Sequence, residues 1–209
     1  MFLYTLGKII LSLIFKVLFP LKVKGLKNFP EKGPVILVAN HCSYFDPLYL
    51  AIAVSRKVNW IILRPYYELR WLKWVFKSIN SFPVNIKGPN ISAIKYALDI
   101  LGEDEVLGIF PEGGRSKDGK LQKSKLGAAL IALKSGAPIL PVAIQGAFNV
   151  FPPQARLPRP YRRAKVQIGF PLYLDLAKTN NGFLNKETLQ KATEQIMGSL
   201  KKLIEECKE

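Results

Sequence analysis

Short apolar runs alternate with amphipathic stretches along most of the chain. Val35–Asn40, Val58–Leu63, Phe82–Ile86, Val106–Phe110, Ile139–Gln145 and Lys165–Leu174 have the length and composition of strands. Pro47–Val54, Tyr66–Ser78, Ile91–Leu101, Ser124–Ser135 and Lys186–Cys207 carry apolar residues at helical spacing. This order predicts an α/β fold, a single mostly parallel sheet flanked by helices. Gly136, just after one helical run, and Asn185, just before another, fit a left-handed terminus and an N-cap. Residues 152–163, PPQARLPRPYRR, read as an exposed loop.

Residues 1–19 are almost wholly apolar and stop at Pro20, which ends a helix. No basic segment precedes the run and no small-residue cleavage site follows, so a signal peptide fits poorly. Lys8 and Lys16 interrupt a stretch already at the lower limit for spanning a bilayer. With Thr5 and Ser12 they form one narrow polar stripe on a helix that is otherwise Leu, Ile, Phe and Val. Such a helix suits the membrane interface; packing on the domain core is the competing reading. We therefore divide the chain into a membrane-associating helix, 1–20, and one domain, 21–209.

The 209 residues are 49% hydrophobic and 22% charged, which rules out global disorder. A net charge of +16 calls for an anionic partner. The last helical run is neutral, with five Lys and five Glu from 186 to 209, so the excess lies upstream. Arg156, Arg159, Arg162, Arg163 and Lys165 cluster without an acid. In Tyr66–Ser78, Tyr67, Trp71 and Trp74 share a stripe beside Arg70, Lys73 and Lys77. That composition suits a membrane–water boundary, a core stripe with a solvated flank, or a base-stacking surface. The apolar first helix favours lipid, and no nucleic-acid partner is expected. One His and two distant Cys exclude a disulfide framework and a four-ligand zinc site, so no metal and no cofactor are expected.

The single histidine, His41, lies in Asn40-His41-Cys42-Ser43-Tyr44-Phe45-Asp46-Pro47, at the end of a strand-like run. Pro47 suits the first helical position, making Asp46 a natural N-cap. Asp46 is also near enough to fix the imidazole tautomer and leave the other nitrogen as a base. An isolated His–Asp pair is more commonly structural. Cys42 and Ser43 are candidate nucleophiles, but sequence neighbours seldom reach the right geometry. A second cluster, Phe110-Pro111-Glu112-Gly113-Gly114-Arg115-Ser116, also follows a strand. Gly113 and Gly114 permit a tight turn with exposed amides, and Arg115 offers a planar fork for phosphate. Glu112 can accept from substrate hydroxyls or orient Arg115. Arg64, Lys87, Lys123 and Lys125 are further basic residues near strand ends or helix starts.

Together, NHCSYFDP and FPEGGRS resemble the first and third blocks of the 1-acylglycerol-3-phosphate acyltransferase family, glycerolipid acyltransferases with a His-x4-Asp motif. The third block there is usually FPEGTRS, so Gly114 stands at the Thr position. Ala137-Pro138-Ile139-Leu140-Pro141-Val142 is similar to the fourth block, and the likeness runs from about residue 20 to 175. One departure is visible. The second-block Arg position falls on Ile86, and Lys87 is its nearest basic neighbour, a point charge without the bidentate fork.

The resemblance implies a glycerol-3-phosphate acyltransferase-like fold and direct acyl transfer without cofactor. His41 is the general base, oriented by Asp46. Glu112, Gly113, Gly114, Arg115 and Lys87 bind phosphate and glycerol, and Pro138 and Pro141 serve structure or the acyl-donor side. The donor is acyl-CoA or acyl-acyl carrier protein, and the acceptor is the sn-2 hydroxyl of 1-acylglycerol-3-phosphate. Another lysolipid or glycerol-3-phosphate is an alternative acceptor. A basic, non-catalytic lipid- or nucleic-acid-binding protein is the rival from another class. The enzyme is expected at the cell membrane, peripheral or monotopic, with its basic domain facing the cytoplasm.

Overall fold

Val35–Ala39 is apolar at every position, and all five residues are buried. A strand points alternate side chains to opposite faces, so a continuous apolar run needs both faces of its sheet covered. In the computed structural model, which describes residues 12–67, 81–84, 91–174 and 184–207, both are. Val35, Leu37 and Ala39 join one hydrophobic cluster, and Ile36 and Val38 join another.

The strands are β1 (Leu21–Lys24), β2 (Val35–Ala39), β3 (Val58–Leu63), β4 (Ser81–Val84), β5 (Val106–Ile109), β6 (Ile139–Gln145) and β7 (Ala164–Ile168). The helices are α1 (12–18), α2 (Asp46–Ala53), α3 (Arg64–Tyr67), α4 (Ile91–Gly102), α5 (Gly127–Ser135), α6 (Ala147–Val150) and α7 (Lys186–Glu206). The strands form one sheet in the order β1-β7-β6-β2-β5-β3-β4. Every neighbouring pair is parallel except β6 with β7. The expected α/β sheet is therefore present, with β7 and β1 reversed at one edge. Helices α1 and α2 cover one face, and α4, α5 and α7 the other.

Asn185 caps α7 by accepting from the Thr188 amide, and Gly136 ends α5 in the left-handed region at φ 67°. Two expectations need correction. β1 lies in a stretch read as carrying no element. The run Lys165–Leu174 is not one strand: β7 stops at Ile168, and Leu172 makes only an isolated bridge to Ile139. Past Ile168 the chain packs closely: an added Cβ at Gly169 would lie 3.0 Å from Pro141 Cγ. Most of the Tyr66–Ser78 run, with Trp71, Trp74, Arg70, Lys73 and Lys77, lies outside the described residues.

Helix α1 packs one side on the domain core. Phe15 and Phe19 are buried against Phe45, and Phe15 also packs on Tyr49. Each such ring is worth about 2–3 kcal/mol of burial. Leu13, Ile14 and Val17 face outward and are 61%, 45% and 67% exposed. Among the described residues, no helix is long and apolar enough to cross a membrane.

Candidate active site

The two motifs meet because their strands are neighbours. β2 and β5 run parallel with Val38 opposite Ile109, so both chains leave the sheet at the same end. This is where open α/β sheets place their sites. Asn40 sets the exit: its side chain accepts from the Ile144 amide at 2.8 Å and donates to the Ile144 carbonyl at 2.9 Å. The amide side chain thus extends the β2–β6 ladder by one rung while the main chain turns away. Sequence reading missed that role.

The His41 ring stacks on Phe110, centroids 4.0 Å apart, and Phe110 stacks on Trp60. Rings from three adjacent strand regions therefore fix the imidazole plane. Its Nδ1 lies 2.8 Å from Asp46 Oδ2. The same oxygen accepts from the Cys42 and Ser43 amides, each at 2.7 Å. An oxygen already accepting two main-chain N–H groups requires Nδ1 to be the third donor, which leaves the Nε2 lone pair for a substrate proton. Asp46 is fully buried, whereas the His41 side chain is 16% exposed. Asp46 was also expected to cap α2. Instead its carboxylate turns back onto the loop before the helix, and Phe45 holds the capping position.

Neither neighbouring nucleophile is available. Burial, reinforced by the Asp46 charge, pushes the Cys42 thiol far up and keeps it protonated. The Ser43 hydroxyl donates to the Phe151 carbonyl and accepts from the Phe45 amide. Both are parts of the loop's frame.

Glu112 joins the two motifs. Its Oε1 accepts from the His41 amide at 2.8 Å and its Oε2 from the Gln122 amide at 2.7 Å. The Ser116 amide donates to the His41 carbonyl at 2.8 Å, closing the clasp from the other side. Both oxygens of Glu112 thus serve main-chain donors in a buried position. Burial pushes this carboxyl up from its ordinary 4.5 to about 7, although both amides pull it down. The folded protein then binds the proton more tightly than the unfolded chain, so the stabilisation is complete below about 4.5 and lost as pH rises through 7. Glu112→Gln cannot titrate. Its stability deficit against wild type should shrink by up to about 3 kcal/mol between about pH 5 and pH 8 in urea unfolding. A deficit constant with pH would contradict this assignment.

The rest of the second loop packs on the His41 loop and on Lys125. The Arg115 guanidinium lies 3.7 Å over the Tyr44 ring. Gly113 has φ +71°, and an added Cβ would sit 2.7 Å from Lys125 Cε and 2.9 Å from its Nζ. The glycine therefore lets the Lys125 stem lie across the turn. Lys125 is held there by its amide, which donates to the Pro111 carbonyl. Lys87 lies outside the described residues. Pro138 lies just before β6 and Pro141 within it: the Pro138 carbonyl accepts from the Ile36 amide, and Pro141 is opposite Val38. Pro138 is thus at the start of the strands, about 15 Å along the sheet from where His41 emerges. No cluster of three His, Cys, Asp or Glu able to hold a metal occurs among the described residues.

The profile of the Acyltransferase family matches residues 20–145, which spans every element described above from β1 to β6. The chain belongs to the acyltransferase family. The 1-acyl-sn-glycerol-3-phosphate acyltransferase of Bacillus subtilis is 30% identical over 199 residues, 94% of this chain and 92% of its own. The chloroplast enzyme of that name from Arabidopsis thaliana is 25% identical over 152 residues; the match takes in 42% of its length, so this chain spans less than half of it. The crystal structure of the 1-acyl-sn-glycerophosphate acyltransferase of Thermotoga maritima superimposes with a TM-score of 0.71 at 27% identity, over 98% of this chain and 78% of that one.

Gly114 departs from the family's usual Thr without a steric reason. A Cβ there meets nothing within 4 Å, and its φ is not in the left-handed region. Gly114→Thr should fold normally and gain about 0.5 kcal/mol, by restricting the unfolded chain. Gly113→Thr, strained and overlapping Lys125, should lose stability; denaturant midpoints of the two variants check the contrast.

Proposed function

We propose that this acyltransferase moves a fatty acyl group from acyl-CoA or acyl-acyl carrier protein to the sn-2 hydroxyl of 1-acylglycerol-3-phosphate, giving phosphatidic acid. The observation that carries the reading is the His41–Asp46 pair, with Nδ1 committed to the buried carboxylate and the imidazole side chain still 16% exposed. In this reading His41 Nε2 takes the acceptor's hydroxyl proton as the oxygen attacks the thioester carbonyl. The C–S bond then breaks, and the imidazolium returns the proton to the departing thiolate. The products are one ester and one thiol. Asp46 is buried beside the ring and stabilises the transient imidazolium.

Arg115, held over the Tyr44 ring of the His41 loop, has a fork that suits the acceptor's phosphate, with Lys125 across the turn, and Lys87 is assigned the same role by its place in the sequence. Glu112 acts as a positioning residue: it holds the base-bearing loop against the phosphate-binding loop. The lipid substrate suggests work at the bilayer, and the exposed Leu13, Ile14 and Val17 of α1 supply an apolar face for it. The enzyme is then peripheral to the cell membrane, its basic domain on the cytoplasmic side.

Thiol release from acyl-CoA and from acyl-carrier protein, with and without lysophosphatidic acid, tests the reading. We expect release that depends on the acceptor. Release without that dependence would make the protein a thioesterase, and no release across several lysolipids would remove the enzymatic reading.

A further inference from the structure

The basic loop 152–163 is not absorbed by the chemistry above. It holds four arginines and no acid. Arg156, Arg159, Arg162 and Arg163 are all exposed, and none has an ion-pair partner among the described residues. Two large apolar groups stand among them, Leu157 at 76% and Tyr161 at 72% exposure. Water offers no reason to present them. Tyr161 also adopts φ 62°, a left-handed backbone that is costly for a bulky residue and needs surrounding structure to hold it. Four prolines, at 152, 153, 158 and 160, stiffen the segment and reduce the entropy lost on binding.

Four hydrogen bonds place this loop. The Tyr161 amide donates to the Leu18 carbonyl at 2.6 Å, which ties it to the end of α1. At its start, Phe151 accepts from the Tyr44 amide and the Ser43 hydroxyl, which ties it to the His41 loop. Gln154 Nε2 donates to the Lys117 carbonyl, just past Arg115. The loop therefore runs from the two loops that carry His41 and Arg115 to the C-terminal end of α1, the helix that exposes Leu13, Ile14 and Val17.

We propose that loop 152–163 is a second bilayer contact, its arginines on anionic headgroups and Leu157 and Tyr161 at the acyl boundary. The inference rests on the membrane-bound reading of the enzyme and adds the element that orients the mouth. Arginine with exposed leucine and tyrosine is the composition of an interfacial contact to anionic lipid. A helix alone leaves rotation about its axis free. A second contact beside the mouth removes that freedom and turns the site toward the lipid acceptor.

The test places an environment-sensitive fluorophore on a Leu157→Cys variant of the full chain. Cys42 and Cys207 are buried, so the label goes to position 157. Vesicles are phosphatidylcholine alone, or an equal mixture of phosphatidylcholine and phosphatidylglycerol. We expect a blue shift on the anionic vesicles, weakened by salt. Each arginine at such a surface is worth about fivefold in partitioning, so Gln at 156, 159, 162 and 163 together should weaken binding by about 25-fold if two of them reach headgroups and by about 600-fold if all four do. Lys at the same four positions should restore it. An equal shift on neutral vesicles, or one untouched by Gln, overturns the headgroup contact. A label that stays in water while the protein sediments with vesicles and acylates lysophosphatidic acid overturns the loop contact and leaves the enzymatic reading standing. A blue shift without acyl transfer does the reverse.

Discussion

Replacing His41 with alanine should lower acyl transfer by about a thousandfold or more, since a positioned general base contributes about 10²–10⁴. Among the described residues of the two loops, no substitute base stands beside His41 apart from its own partner Asp46. His41 is the only histidine of the chain, Cys42 is a protonated buried thiol, and both oxygens of Glu112 face main-chain donors. The loss should fall on kcat with little change in KM, because the Glu112 clasp and Arg115, proposed above to take the acceptor's phosphate, stay in place. His41→Gln sharpens the comparison: it keeps a polar group at the position but has no basic nitrogen. Both variants should keep the wild-type unfolding midpoint within about 1 kcal/mol, because the ring is stacked at a surface-accessible mouth and not locked in the core. Acceptor-dependent thiol release that survives in both variants would end the general-base mechanism.

The sheet and the pairing of His41 with Asp46 were legible because both leave local signals. Apolar runs such as Val35–Asn40 announce buried strands, and five-residue spacing brings a carboxylate within reach of an imidazole. What stayed hidden depends on strand order. Glu112 clasps His41 across 71 residues only because β2 and β5 pair side by side, and no spacing rule encodes that neighbour. Asn40, 104 residues from Ile144, is hidden for the same reason. The reversal of β7 was hidden too: its connection from β6 carries only the one-turn α6 and a Pro-rich loop, which signals neither a crossover nor a hairpin. β1 did leave a trace. Leu21 and Val23 alternate with Lys22 and Lys24, the period-two pattern of an edge strand with one buried face, but four residues are a weak signal beside the apolar helix before them.

Substitution of Asp46 should separate two contributions that His41 variants remove together. One oxygen, Oδ2, accepts all three donors: His41 Nδ1 and the amides of Cys42 and Ser43. Asn can place its carbonyl oxygen at that point and keep all three bonds, with the ring orientation and tautomer unchanged. It lacks the charge beside the imidazolium, and its NH2 group takes the place of Oδ1, which is buried without a hydrogen-bond partner among the described residues. A hydrogen bond to a charged group exceeds a neutral one by about 1–2 kcal/mol, so Asp46→Asn should cost about ten- to thirtyfold in kcat. Asp46→Ala removes the acceptor itself. Two buried amides then lose their partner, at about 1–3 kcal/mol each, and the imidazole is released from its plane. Loss of orientation adds to loss of charge, and the fall should reach about a thousandfold. The Nδ1–H proton resonance of this chain's single histidine provides the structural readout: present in wild type and in Asp46→Asn, absent in Asp46→Ala. Equal kcat losses in the two variants, with the resonance gone from both, would mean that Asn does not reproduce the three-donor geometry and that charge and orientation act inseparably. An Asn variant as fast as wild type would instead show that the buried charge takes no part in the step.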